Sequence, residues 1–337
     1  MDKQKIRKVV INTIKYLAFF IIGIFIFWLV YRNIDTNILI EELKSINYWW
    51  ILLSFLIGML SHYSRALRWN MLIKTLGYKP RTLNSFLSVL IMYLTNLALP
   101  RAGEIARCSV LTKYEKIPFS KLVGTVVIER ITDVIALAIF AFFIILSQIG
   151  VITKFLNNYP ETKDNLINIF SLRNLLIILS ILAIIVLLSF LFRSAFKKTI
   201  FYKKIVQIIH NIIEGIKTIL NLENKWHYIL HTCFIYLMWL LSLYVLFFAF
   251  KPTSHLDIFA AMTTFIMGSM GMLAPVQAGI GPYHFMIYET LFIYGINKVD
   301  GKIFALISHT STNLTLMIAG LISLIILPII NNSGKKI

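Results

Sequence analysis

Cysteine is almost absent: Cys108 and Cys233 stand alone in 337 residues, which excludes a disulfide framework and a cysteine-rich metal site. Charge is scarce too, at 14% of residues against ~25% in an ordinary soluble domain. Acid is the scarcest part of it, with 15 Asp and Glu beside 33 Lys and Arg. Apolar residues fill the chain instead: 58% are hydrophobic, 25 of them are Phe, and the mean hydropathy is +0.79. A soluble core of this size cannot hide so much apolar surface, so a secreted or cytosolic enzyme is excluded. The chain reads as an integral membrane protein.

Familiar chemical motifs are missing as well. There is no GxSxG, Walker loop, GxGxxG fingerprint or CxxC pair, and no Asp-X-Asp in the loops expected outside. His227 and His231 have the spacing of a zinc pair but no third ligand nearby, so they read as structural histidines and no metal or cofactor is expected. The net charge of +18 is dispersed between apolar runs, as in loops that orient a membrane protein, which argues against nucleic acid as a partner. Membrane lipids remain, anionic lipid above all.

A membrane helix needs ~20 mostly apolar residues. Six stretches qualify or nearly so: about 16–31, 48–69, 120–148, 174–192, 227–250 and 303–328. The first follows five basic residues and lacks a small-residue cleavage site, so it reads as a retained anchor. Trp49 and Trp50 open the second as an interfacial belt would. Two further stretches are broken. Residues 84–99 run into Pro100-Arg101-Ala102-Gly103-Glu104, and 256–274 into Pro275-Val276-Gln277-Ala278-Gly279-Ile280-Gly281-Pro282, followed by a short apolar piece at 283–296. Proline and glycine clusters stop helices, and irregular backbone survives in a bilayer only where protein buries it or a wet cavity solvates it.

Lysine and arginine then set the orientation. With both broken stretches re-entrant and the N-terminus cytoplasmic, 24 Lys/Arg fall inside and 8 outside. The bias predicts cytoplasmic N- and C-termini. The resulting fold class is an all-α polytopic membrane protein, a single membrane domain over 1–337 built as two inverted-topology halves. Each half has three spanning helices plus a Pro/Gly-broken re-entrant segment: residues 1–148 form the first, 149–192 with 227–328 the second. Residues 193–226, with lysine pairs and an Ile205, Ile208, Ile209, Ile212, Ile213 and Ile216 face, form a cytoplasmic amphipathic connector.

Three clusters in the first half carry charge, and Arg65, Arg68, Asn96, Arg101, Glu104, Arg107, Glu129, Arg130 and Asp133 in them are expected to bind the lipid head group. Arg65 and Arg68 precede Trp69 at one end of the second span, where an arginine fork suits phosphate and snorkelling is the plain alternative. Asn96, Pro100, Arg101, Gly103, Glu104 and Arg107 surround the first break; Glu104 is expected to cap the helix, pair with Arg101 or Arg107, or meet a cationic head group. Glu129, Arg130 and Asp133 interrupt an apolar run near mid-bilayer, where ionisable groups are costly and functional by default. Glu129 serves there either as a structural partner of arginine or as a contact for cargo or a coupling proton. The second half mirrors these places with neutral groups: Pro275, Gly279 and Gly281 at the break, and His284, Ser308, His309, Thr312 and Asn313 along a polar cavity.

The ordered set Arg65-x-x-Arg68-Trp69, Asn96-x-x-x-Pro100-x-x-Gly103-Glu104-x-x-Arg107, Glu129-Arg130-x-x-Asp133 and Pro275-x-x-x-Gly279-x-Gly281 resembles the lysylphosphatidylglycerol synthase/flippase transmembrane-domain family. The likeness covers nearly the whole chain. It implies a flippase-like protein that moves an aminoacyl-phospholipid, or a polyprenyl-linked head group, across the bacterial inner membrane. It also implies a stand-alone member, since no synthase domain follows Ile337. A membrane-embedded enzyme, or an enzyme partner, acting on a lipid-linked sugar or aminoacyl lipid stays open as the alternative. So does a lipid-binding scaffold. The protein partners in view are further copies of the chain or a lipid-synthesising enzyme.

Overall fold

The computed structural model describes residues 21, 24–32, 36–99, 102–150, 222–274 and 276–332, with isolated positions at 153, 176, 180 and 219. The expected span at 174–192, most of the connector, and Pro100, Arg101 and Pro275 lie outside the described residues. The fold below belongs to one compact unit, residues 1–144 with 222–337; residues 145–221 form a second, of which the end of one helix is the main described part.

Every regular element among the described residues is a helix. A helical stretch at 24–31 is followed by α1 (Thr36–Lys44), α2 (Tyr48–Lys74), α3 (Thr82–Ala98), α4 (Gly103–Glu115) and α5 (Phe119–Ser147). Then come α6 (Lys225–Phe247), α7 (Ile258–Met272), α8 (Pro282–Ile293) and α9 (Lys298–Asn332). Among the described residues α2, α6 and α9 are long and apolar enough to cross a membrane. The chain is a membrane protein. α5 is one continuous helix of 29 residues, about 44 Å at ~1.5 Å per residue. Its outer part turns Val134, Ile139, Phe142 and Phe143 outward, as a lipid-facing surface requires.

α2 starts where Asn47 accepts a hydrogen bond from the Trp49 amide, and exposed Trp49 marks that end. α2 and α6 pack antiparallel. Ser54 meets Ser242 at 2.8 Å between the hydroxyls, Ser64 meets His231 at 2.8 Å, and the Asn47 amide donates to Ala249. Lipid tails are as apolar as leucine, so helices in a bilayer are held by close packing and such polar contacts rather than by hydrophobic burial.

The two broken stretches become two helical hairpins. In the first, α3 and α4 run antiparallel and their free ends meet where Asn84 donates to Glu115. Asn84 also pairs with Asn331 of α9 at 3.0 Å, which puts the end of α9 beside the start of α3. In the second, α7 and α8 run antiparallel and their free ends meet through Thr263 and Tyr294 at 2.8 Å. The tips approach each other: the Gln277 amide donates to the Leu97 and Ala98 carbonyls at the end of α3. Those carbonyls have no helical partner, so the contact satisfies groups that a helix end leaves open.

Each hairpin has its own core. Trp69, Met92, Cys108, Leu111 and Leu122 join α2 to α5 around the first. Phe247, Phe250, Ile287, Leu291 and Phe304 join α6 to α9 around the second.

Candidate functional site

The charged residues of the first half come together in one network on α2, α4 and α5. Glu129 is fully buried at its centre. Its carboxylate accepts from Arg65 at 2.9 Å on one oxygen and from Arg107 at 3.0 Å on the other, with Arg130 at 3.5 Å and Arg68 at 3.6 Å. Asp133, one turn along α5, accepts from Arg65 at 3.1 Å and from Arg68, and lies 3.6 Å from Arg130. Helical periodicity places Glu129 and Asp133 on one face, and antiparallel packing brings the Arg65 and Arg68 turn of α2 opposite them.

Of the alternatives open to Glu104, the pairing with Arg107 is not made, and Arg101 lies outside the described residues. Arg107 turns to Glu129 instead, and Glu104, on the first turn of α4, sits 3.8 Å from Arg130. Arg65, Arg68 and Arg107 are sealed, whereas the Arg130 side chain is 41% exposed. Four arginines thus face three carboxylates, one positive charge in excess, and the network opens to its surroundings chiefly at Arg130 and Glu104. Arg107 Nε and Nη2 have no hydrogen-bond partner among the described residues.

Asn96 has a definite job beside this network. Its side-chain oxygen accepts from the Gly103 amide at 2.8 Å, capping α4 from the end of α3. Any side chain at position 103 would run into the Met92 carbonyl at 2.2 Å, so only glycine lets the two helices meet this closely.

The second-half residues form a separate, neutral cluster. The His284 and His309 rings pack at a 55° tilt with centroids 4.5 Å apart; the His309 ring meets the Ala278 carbonyl at 2.7 Å, and Asn313 lies 3.1 Å from His309. Ser308 reaches the Tyr283 hydroxyl at 3.2 Å. Gly279 and Gly281 turn the chain with φ of +68° and +91°, a conformation that L side chains resist, and Pro282 starts α8. Thr312 departs from this group. It lines a small cavity of about 30 Å³ with Ser54, His62 and Ser242.

The chain belongs to the lysylphosphatidylglycerol synthase transmembrane-region family. The family matches residues 16–320. The UPF0104 membrane protein MJ1595 of Methanocaldococcus jannaschii is 33% identical over 110 residues, which is 32% of this chain and 33% of that protein. The chain thus matches about a third of that relative's length. No solved structure matches. Membership of the lysylphosphatidylglycerol synthase transmembrane-region family gives a membrane protein linked to lipid handling.

Several site residues come from α6, where sequence reading sees only an apolar span. Trp239 stacks on the Arg65 guanidinium at 5.2 Å and Tyr228 on that of Arg68 at 5.6 Å. Thr232 accepts from Arg68 at 3.0 Å, and the Tyr236 hydroxyl donates to the Asp133 carbonyl at 2.7 Å. Tyr228, Thr232, Tyr236 and Trp239 recur at helical spacing, and that polar-aromatic stripe was the available signal. On the other side of the network, Trp69 covers Arg107 at 4.5 Å and donates to Thr125 at 2.8 Å.

Proposed function

We propose that this chain binds a lipid through a phosphate-bearing head group and moves it between the two leaflets. The observation that carries the reading is the arginine network, with one positive charge in excess and Arg130 open to its surroundings. Arginine keeps its charge when desolvated and suits phosphate oxygens. Glu129 and Asp133 hold Arg65, Arg68 and Arg107 in place, and Arg130 with Glu104 makes the contact to the head group. The Glu104 carboxylate adds affinity for a head group that also carries an ammonium, as an aminoacyl-phospholipid does.

In this reading the α3–α4 and α7–α8 hairpins are re-entrant segments of two inverted halves, entering from opposite leaflets. Their contact through Gln277 supports it, because paired broken helices in inverted repeats mark a substrate site near the midplane. The neutral His284, His309 and Asn313 cluster beside the second tip gives a site from which a head group is released. Orientation follows the Lys/Arg bias, with both termini in the cytoplasm of a bacterial inner membrane.

The purified chain reconstituted in vesicles tests the proposal. Quenching of fluorescent lipid in the outer leaflet should show faster exchange of anionic or aminoacylated phosphatidylglycerol than in protein-free vesicles. No acceleration for either lipid, or loss of a lipid species from cells lacking the gene without any change between leaflets, would overturn it.

A further inference from the structure

A pocket of about 300 Å³ lies at the Lys74 end of α2, lined by residues other than those of the arginine network. It is an open pocket bordered by the last turns of α2, the start of α3 and the first turns of α6. Asn70, Lys74, Thr82, Asn224, His227 and His231 supply its polar lining, and among the described residues no carboxylate contributes to it. The volume is that of a small-ligand site.

The lining is built to donate. Lys74 offers an ammonium, and lysine binds phosphate as a point charge. Asn70 is buried, and its oxygen is taken by the Ser85 hydroxyl at 2.6 Å, which leaves the NH₂ end for the pocket. The His231 ring is held by Ser64 at 2.8 Å, so it is fixed in orientation, and exposed His227 stands one turn before it. Asn224 makes no side-chain cap on α6, and the positive end of that helix dipole acts in the same sense. Donors thus converge from two helices and a connecting segment. A lining of one ammonium and several neutral donors suits an oxyanion.

We infer that this pocket binds a phosphate group. Two sources share that chemistry, the phosphodiester of an anionic lipid and a soluble phosphate compound. The inference does not require lipid to cross the membrane. A transport failure in vesicles would therefore leave it standing, and its own failure would leave transport standing.

Thermal unfolding of the delipidated full chain in a neutral detergent reads the site. It is titrated with inorganic phosphate at constant ionic strength, with phosphatidylglycerol in mixed micelles, and with phosphatidylcholine as the zwitterionic comparison. Saturable stabilisation by phosphate or by phosphatidylglycerol is expected, and Lys74→Gln with His227→Gln should weaken it about tenfold or more, the effect of losing charged hydrogen bonds. Both side chains are exposed, so the variant should fold normally without ligand. Lys225→Gln, at the same end but outside the lining, is the charge-matched control and should bind as wild type does.

The part of the response that Lys74→Gln with His227→Gln removes reports this pocket: if phosphatidylglycerol alone gives it, the site takes lipid, and if inorganic phosphate gives it, with or without the lipid, the site takes the phosphate group itself. Undiminished stabilisation of the Lys74→Gln with His227→Gln variant, stabilisation by phosphatidylcholine equal to that by phosphatidylglycerol, an equal loss in Lys225→Gln, or no saturable effect of either phosphate ligand would overturn the inference.

Discussion

Arg107 of α4 and Glu129 of α5 meet at 3.0 Å with both side chains fully buried. The other oxygen of the same carboxylate takes Arg65 of α2, so one glutamate ties three helices together. Replacing both members of a buried ion pair by apolar groups is often neutral, but removing one leaves the other charge without a counterion. Glu129→Gln should therefore lower stability by about 3–5 kcal/mol. Thermal unfolding in detergent checks this, with Asp133→Asn, which is 13% exposed, expected to lose less. A Glu129→Gln chain as stable as wild type would mean that the carboxylate does not hold the arginines.

Arg130 belongs to the same network but is 41% exposed, so its removal separates function from folding. Arg130→Gln should change stability by less than about 1 kcal/mol, as surface ion pairs do. In the vesicle assay it should slow exchange of anionic lipid by about tenfold, the effect of one charge-assisted contact. Lys113→Gln, exposed on α4, should leave the rate near wild type. Equal losses at the two positions would reduce the effect to general surface charge.

The close approach at the first hairpin tip gives a test that does not depend on charge. A methyl group at Gly103 would lie 2.2 Å from the Met92 carbonyl, which is helix backbone, and 2.7 Å from the Asn96 side chain. Gly103→Ala should cost about 1–3 kcal/mol, the range for overpacking. Gly124→Ala has nothing within 4 Å and should be neutral or slightly stabilising, as alanine favours the helix. Thermal unfolding of the pair decides it; equal melting temperatures would show that the α3–α4 contact relaxes freely.

Sidedness is tested by labelling single cysteines introduced into a chain lacking Cys108 and Cys233. Lys113 and Lys204 should be reached from the cytoplasmic side, and Asn158 and Lys251 from the other. Labelling of positions 113 and 158 from one side would remove the inverted arrangement, while leaving the helical hairpins intact.

The sequence by itself determined the membrane character and the helices, because a bilayer imposes one length and one polarity on whatever crosses it. α2, α6 and α9 follow from that rule, and Pro/Gly clusters foretold where α3 and α7 end. It also singled out Arg65, Arg68, Arg107, Glu129 and Asp133, since ionisable groups in an apolar run are costly to bury without partners. Which partner each would take was decided only by tertiary structure. Periodicity fixes the faces of one helix but not how two helices cross, so nothing local tells that Arg107 prefers Glu129 to Glu104. The same limit hid Trp239 and Tyr228, which look like ordinary span residues until α6 lies antiparallel to α2 and sets them over the guanidiniums. Gln277 shows it most plainly: its amide reaches carbonyls about 180 residues away, a contact that exists only because two broken helices end at the same place.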